Sequence, residues 1–298
     1  MPTVNNRIKK PQSSVINGVD SGGLMTAFIN CGYEQIMTSP FDGLSLGTRD
    51  KYAQFRRGSI VSQDFSKFYS LLTGTVGTLV FYERKSGTAE ATGWMKHTIT
   101  NPVIHNMKLS VSKEGFSTIS YSFECKAADP TKGFADMWSV TDSQSAPTYV
   151  AAARGGWRVV STTHGAVNIY HTTAFDFSLA AVLTKESNDG DIAYTCVELD
   201  LPWSASGSIS FQDATITSSK LKCQDLIAAV PADLTVTLSS SGGAANKVIT
   251  IANVDFDNAS SNSDIGSPFT GYQLPFGIAD DPDTPLTLGG SNKIITIA

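Results

Sequence analysis

The chain has 298 residues, of which 41% are hydrophobic and only 16% are charged. Charged residues make up about 25% of an average soluble protein, so much of this surface must be neutral and polar. Such a surface costs little to desolvate and suits burial between subunits. A sequence pI of about 5.3 argues against tight, sequence-independent binding of nucleic acid, which needs a basic patch.

The two halves of the chain carry opposite net charge. Residues 1–150 contain 15 Lys and Arg against 12 Asp and Glu, a net charge of +3, whereas residues 151–298 contain 7 against 15, a net charge of -8. A basic part and an acidic part favour head-to-tail association of copies. Ordinary variation in surface charge is the alternative explanation.

The N-terminal residues 1–24 are rich in Gly, Ser, Asn and Pro without periodicity, which predicts an arm that becomes ordered when it packs on something. The basic stretch Arg7–Lys10 is followed by polar residues, so we expect no signal peptide and folding in the cytoplasm. No apolar run reaches the length of a membrane-spanning helix. The cysteines lack metal or redox spacing and are predicted to be buried, reduced thiols: Cys31, Cys125, Cys196 and Cys223.

The first half shows one helical and several strand patterns. Phe65, Phe68, Tyr69 and Leu72 follow helical spacing within residues 62–74, where an Asp can cap the start and a Gly the end. Residues 77–82 predict a strand. Residues 108–112 and 118–125 alternate around a turn at 113–115 and predict a long hairpin. Its inward face would carry Leu109, Val111, Ile119, Tyr121, Phe123 and Cys125, and its outward face mostly Ser, Thr, Lys and Glu.

The second half is also rich in strand patterns. Residues 141–153 look like a linker, and Asn188–Asp191 predicts a hairpin turn. Strands are predicted at 157–160, 207–211, 234–238, 247–251 and 293–298, and a short helix at 223–230. We therefore predict a mainly β fold, sandwich-like or barrel-like, with one or two short α-helices. The domains would be the arm 1–24, a β domain at 25–145 and a second β-rich domain at 150–298, for which divergent duplication is a hypothesis.

No pattern in the sequence predicts catalysis, a cofactor or a metal site. The histidines, His97, His105, His164 and His171, lack ligand spacing, and His164 and His171 with Asp176 are the nearest to a constellation. Two acidic groups do not fit a calcium-binding loop and are read as solvated turns: Asp280, Asp281 and Asp283, and Asp255, Asp257, Asn258 and Asp264. The tryptophans are scattered, which favours packing over a glycan or nucleic-acid platform: Trp94, Trp138, Trp157 and Trp203.

The order of elements over residues 60–140 resembles the tail-tube proteins of long-tailed bacteriophages. The features are the amphipathic helix, the strand Gly77–Phe81, Asn101–Ile104 leading into the hairpin, and the turn Gly133–Asp136. The resemblance implies strands that form an inner β-barrel, rings that stack head to tail, and an arm between rings. The hairpin 107–125 would line the lumen or form the ring, with assembly residues Lys108, Leu109, Val111, Ile119, Tyr121 and Phe123.

The same resemblance implies that residues 1–24 form the inter-ring arm. It implies that residues 151–298 form a second tube domain or an outer decoration. It further implies homo-oligomeric rings, contacts with other virion proteins, DNA only as passing cargo, no membrane, and a place in the virion after assembly in the host cytoplasm. Closure of strands into a ring also removes the hazard of free sheet edges.

Three alternatives remain open at this point. A capsid, decoration or baseplate protein of a virion would have the same composition. A β-sandwich adhesin or carbohydrate-binding module would need exposed aromatics such as Trp94 or Trp203. A hydrolase would need His164 or His171 to meet a Ser and an Asp in a cleft of the fold.

Overall fold

The structure of the chain, a computed structural model, describes residues 8–16, 19–20, 24–38, 48–63, 78–85, 92–113, 117–129, 131–147, 157–169, 171–188, 190–213, 223–240, 245–262, 270–279, 286–287 and 293–298. Strands make up 75% of these residues and two short helices 4%. The prediction of a mainly β fold with short helices is confirmed.

The described elements comprise strands and two helices in the following order: β1 (Ile8–Ile16), β2 (Val19–Asp20), β3 (Leu24–Thr38), β4 (Thr48–Ser62), β5 (Thr78–Lys85), β6 (Trp94–Thr100), β7 (Pro102–Ser112), β8 (Thr118–Cys125), α1 (Phe134–Met137), β9 (Trp138–Gln144), β10 (Trp157–His164), β11 (Val167–Ile169), β12 (Thr172–Glu186), β13 (Cys196–Asp213), α2 (Cys223–Ile227), β14 (Ala232–Ser240), β15 (Lys247–Phe256), β16 (Ser260–Asn262), β17 (Thr270–Ile278) and β18 (Ile295–Ile297).

The smaller sheet contains five described strands in the order β2-β1-β5-β6-β9. Its inner face contributes Leu79, Phe81 and Ile99 to the core. Two sequence predictions concern residues of this sheet. Residues 8–16 of the predicted arm form β1, which pairs with β5, and the inter-ring role of the arm stays a prediction. The predicted linker is wrong at its start, because residues 141–144 belong to β9 and pair with β6.

The larger sheet contains thirteen described strands. Its main path is β11-β10-β14-β15-β17-β13-β12-β7-β8-β4-β3, with β16 and β18 added beside β17 and β15. β10 approaches β7 and β12, although neither is its neighbour on that path. Trp157 and Val159 of β10 share one hydrophobic core with Leu109 and Phe175. The sheet therefore curves around its own core, as a barrel-like fold requires.

The β7–β8 hairpin confirms the strongest local prediction. Leu109 pairs with Ile119, and the side chains predicted to face inward are buried, with Leu109 and Phe123 each 0% exposed. The predicted strands around residues 157, 209, 236 and 249 lie within β10, β13, β14 and β15. The turn at 188–191 joins β12 to β13, with Gly190 at φ 90°. The C-terminal strand β18 pairs with β15, and α2 is shorter than predicted.

Some sequence predictions cannot be compared with the described structure. The predicted helix over residues 62–74 lies almost entirely outside the described residues. The larger sheet joins strands from 25–145 and from 150–298, because β12 pairs with β7 with Phe175 opposite Val111. The division into two domains and the duplication stay predictions.

Candidate assembly surface

The hairpin β3–β4 extends beyond the strand β8 that joins it to the rest of the sheet. Its pairing runs from Leu24 opposite Ser62 to Thr38 opposite Thr48, but β8 pairs only with the part of β4 from Arg57 to Ser62. Each arm has 15 residues, about 50 Å at about 3.3 Å per residue. The distal part of the hairpin therefore projects past β8.

The outer edge of β3, called the β3 edge below, ends the larger sheet, and no described strand pairs with it. Natural proteins protect such edges with Lys, Pro, short strands or bulges. Residues 24–38 contain no Lys, Arg or Pro, and Glu34 is their single charge. Phe28 is 60% exposed and Tyr33 is 39% exposed. The strand β1 approaches β3 without pairing with it. Apart from two irregularities in its register with β4, the outer side of β3 has no pairing partner among the described strands.

A second exposed surface lies on the outer face of the predicted hairpin and of the strands beside it. Ser110 lies opposite Asp176, and Lys108 lies opposite Ser178. Ser110 donates a hydrogen bond to Asp176, and the Lys108 Nζ is 3.5 Å from the Asp176 Oδ1. We call this surface the serine face; it comprises Lys108, Ser110, Ser120, Asp176, Ser178, Ser206 and Ser208.

The residues predicted to mediate assembly divide between the two faces of the hairpin. Lys108 is exposed on the serine face, with 54% of its side chain accessible. The other five are at most 2% exposed and pack in the core of this chain: Leu109, Val111, Ile119, Tyr121 and Phe123. They hold the hairpin in place, and a neighbour would meet the residues that alternate with them. Their part in a ring or lumen stays a prediction.

A cluster of charged side chains ties β12 to the β3–β4 hairpin. The Lys185 Nζ lies 3.1 Å from the Glu124 Oε1 and 3.4 Å from the Glu34 Oε1, and the Arg57 Nη1 lies 4.0 Å from the same Glu34 oxygen. The Glu124 side chain is 5% exposed. These four residues form the Lys185 cluster. Three of its strands, β8, β4 and β3, are neighbours in the sheet, and Lys185 reaches them from β12 across β7.

The segment 190–195 covers the Lys185 cluster. The Gln54 N–H donates to the Ile192 carbonyl at 2.8 Å, and the Ala127 N–H donates to the Tyr194 carbonyl at 3.0 Å. The Lys185 Nζ lies 5.1 Å from the centre of the Tyr194 ring. Burial lowers the pKa of His105 below its ordinary value, Glu124 opposes this shift and Lys185 adds to it. The cluster was missed in the sequence because its members are far apart along the chain.

A stack of flat side chains joins the two sheets. The ring centres of Phe81 and His97 are 4.3 Å apart, and those of His97 and Trp138 are 5.7 Å apart. The Arg56 guanidinium carbon lies 3.7 Å from the centre of the Trp138 ring. The His97 Nε2 is 3.0 Å from a Glu83 carboxylate oxygen. Arg56 is 2% exposed, and desolvation lowers its pKa. The stack buries a cation against aromatic faces, a favourable arrangement when desolvated.

The histidines weighed for catalysis lie in different surroundings. The ring of His164 is buried, with its Nε2 3.1 Å from the Val254 carbonyl oxygen, whereas His171 is exposed at φ 54°. Asp176 contacts Ser110 and Lys108 instead of either histidine. Within the described residues no group of three metal-ligating side chains occurs. Asp264, Asp280, Asp281 and Asp283 lie outside those residues.

The cysteines and tryptophans complete the comparison with the sequence predictions. Cys125 is buried, and burial raises the pKa of its thiol to about 12. Cys31 is free but exposed, so its predicted burial is wrong; it lies on the open strand β3. The Cys196 thiol is free and partly buried, and the side chain of Cys223 is outside the described ones. Trp94 and Trp157 are 1% and 5% exposed, and Trp138 and Trp203 pack partly buried against the core.

No protein-family model and no curated protein matches this chain. Within the described residues, no helix is long and apolar enough to cross a membrane.

Proposed function

We propose that the chain is a virion structural protein, a tail-tube subunit that assembles into stacked rings around the path of phage DNA. The observation that carries the proposal is the β3 edge, an open edge of 15 residues on a hairpin that projects past β8. An edge of that length without protective residues pairs with another strand or aggregates. Pairing between copies supplies main-chain hydrogen bonds over a long interface.

A ring follows from the way such edges pair. The other strands that end a described sheet include β11 and β9, and their sequences differ from that of β3. Pairing of the β3 edge with a different edge on the next copy joins two unlike surfaces. A contact of that kind, repeated around an axis, closes into a ring.

The serine face suits a surface past which DNA moves. Binding of a polyanion depends on Lys and Arg that release counterions, and the single lysine of this face, Lys108, is paired with Asp176. Its other members are serines. The face would therefore offer hydroxyl groups without a net positive charge, which fits DNA as passing cargo.

The experiment is negative-stain electron microscopy of the purified protein and of edge variants. Phe28→Lys combined with Tyr33→Lys places two charges on β3 at exposed side chains. Val230→Lys is the matched control, because Val230 is 82% exposed and lies after α2, away from β3. The wild type and the control should form hollow tubes or rings. The double variant should remain monomeric with an unchanged circular dichroism spectrum.

The outcome separates this proposal from the others. A capsid, decoration or baseplate protein would use the same edge, but shells or trimers in the micrographs would reject a tail tube. Unchanged assembly of the double variant would reject the β3 edge as the contact. The burial of Trp94 and Trp157 gives no support to an aromatic platform for glycans.

A further inference from the structure

A cavity of about 370 Å³ opens where the larger sheet curves onto itself. We call it the seam cavity, because it lies between β10–β11 and the start of β12, beside the end of β7. Its polar lining comes from Lys113, Ser161, Thr162, Asn168, His171 and Thr172. Small-molecule sites commonly occupy about 300–1,000 Å³ and occur in the mouths of β-barrels.

Irregular backbone shapes the seam cavity on both sides. The register of β10 against β14 shifts between Val159 and Ser161, and that of β12 against β13 shifts between Thr172 and Ala174. His171, next to Thr172, has φ 54°, in the left-handed region that non-glycine residues seldom adopt. Such outliers cluster at functional sites, where the surrounding structure holds them in place.

Two buried hydroxyl groups in the lining have no hydrogen-bond partner in the described part of the chain. Thr162 is 1% exposed and Thr172 is 5% exposed, and the Oγ1 atom of each lacks a partner there. A buried hydroxyl without a partner is destabilising and calls for an explanation. Lys113 brings a positive charge, and no carboxylate occurs among the described lining residues.

We propose that the seam cavity binds an oxyanion, a carboxylate or a phosphate group. The Lys113 ammonium group pairs with its charge, and the Asn168 amide donates a hydrogen bond to its oxygens. The hydroxyls of Thr162 and Thr172, which are closed off from solvent in the unliganded chain, reach the ion by rotation of their side chains. Charge-assisted hydrogen bonds of this kind are stronger than neutral ones. The oxyanion is either a free small ion or an acidic side chain of a second copy, and only the second source rests on the assembly proposed above.

In the first arm of the test, the protein is titrated with sodium phosphate and with sodium acetate. Binding is measured from the NMR chemical shifts of the cavity residues. Lys113→Ala should weaken binding at least about tenfold, the effect of losing one charged hydrogen bond. Thr172→Val should weaken binding without lowering the melting temperature, since it removes an unpaired hydroxyl. Lys132→Ala and Thr118→Val, outside the cavity, are the controls and should bind as the wild type does.

The second arm follows assembly of the same variants by analytical ultracentrifugation. If neither ion binds but Lys113→Ala prevents an association that the controls retain, the oxyanion is a side chain of a second copy. If the ions bind and the variants weaken that binding, the oxyanion is a free ion. The proposal is overturned if Lys113→Ala and Thr172→Val match the wild type in both arms. It is equally overturned if Thr172→Val lowers the melting temperature and leaves both arms unchanged, because its hydroxyl then bonds within the chain.

Discussion

Replacement of Lys185 by Met should destabilise the protein far more than the loss of an exposed ion pair. Lys185 is 23% exposed and lies between Glu124 and Glu34, which are 5% and 24% exposed. Each contact contributes roughly 5 kcal/mol of attraction at an effective dielectric constant of about 20, largely offset by desolvation. The variant leaves two carboxylates close together and one of them deeply buried.

The expected loss follows from that burial. Removal of one partner from a fully buried pair costs about 3–5 kcal/mol, and water still reaches about a quarter of Lys185 and Glu34. We therefore expect Lys185→Met to lower the free energy of unfolding by about 2–3 kcal/mol, a reduced figure because partial exposure screens the charges.

Urea denaturation followed by circular dichroism measures this loss. Lys108→Met is the matched control, because Lys108 and its partner Asp176 are 54% and 38% exposed; its loss should stay below about 1 kcal/mol. Glu124→Gln in the Lys185→Met background should recover part of the stability, since it removes the buried charge left unpaired. A loss for Lys185→Met no larger than that of the control would refute the reasoning.

Three further predictions concern single residues. The lowered pKa of His105 favours the neutral ring in the folded state, so stability should fall as the pH drops below about 6.5; urea midpoints at pH 7.5 and 5 should differ less in His105→Asn. Gly207→Ala places a methyl group against an aromatic ring and should cost about 1–3 kcal/mol in a thermal melt, whereas Gly277→Ala meets no atom within 4 Å and should cost less. With the other two cysteines changed to serine, Cys31 should react with a thiol reagent in the folded protein and Cys125 only after unfolding, because Cys125 is buried; equal rates would contradict the structure.

Local alternation predicted those elements whose two faces differ in polarity. In β8 from Thr118 to Phe123 and in β14 from Leu234 to Leu238, every second side chain is buried, and the sequence shows the same period of two. The helix α2 carries an equally local signal, whereas the predicted turn at 113–115 lies mostly outside the described residues. Such elements can be predicted because the polarity of each residue indicates whether its position is buried.

The hairpin β3–β4 escaped prediction because its burial depends on distant residues. On β3, the side chains of residues 26–35 are exposed or half-buried, so its apolar residues follow no simple alternation. On β4, Arg56 is buried against Trp138, and a cation at a buried position hides the strand pattern. Glu124 was expected on the outward face but is covered by the segment 190–195. The burial of Arg56 and Glu124 depends on residues that are distant in sequence and come next to them only in the folded chain.

The distal part of the β3–β4 hairpin, beyond its pairing with β8, is fixed from three directions, and this bears on the proposed assembly. Lys185 reaches Glu34 from β12, the Gln54 N–H donates to the Ile192 carbonyl, and the Gln54 Oε1 accepts from the Phe134 N–H at 2.9 Å. A strand that is already held in its extended form loses little conformational freedom when it pairs with a neighbour. The same contacts that stabilise the chain would thus prepare the β3 edge for the proposed assembly. If the chain forms the proposed rings, loosening the Lys185 cluster should slow their formation even at temperatures where the chain remains folded.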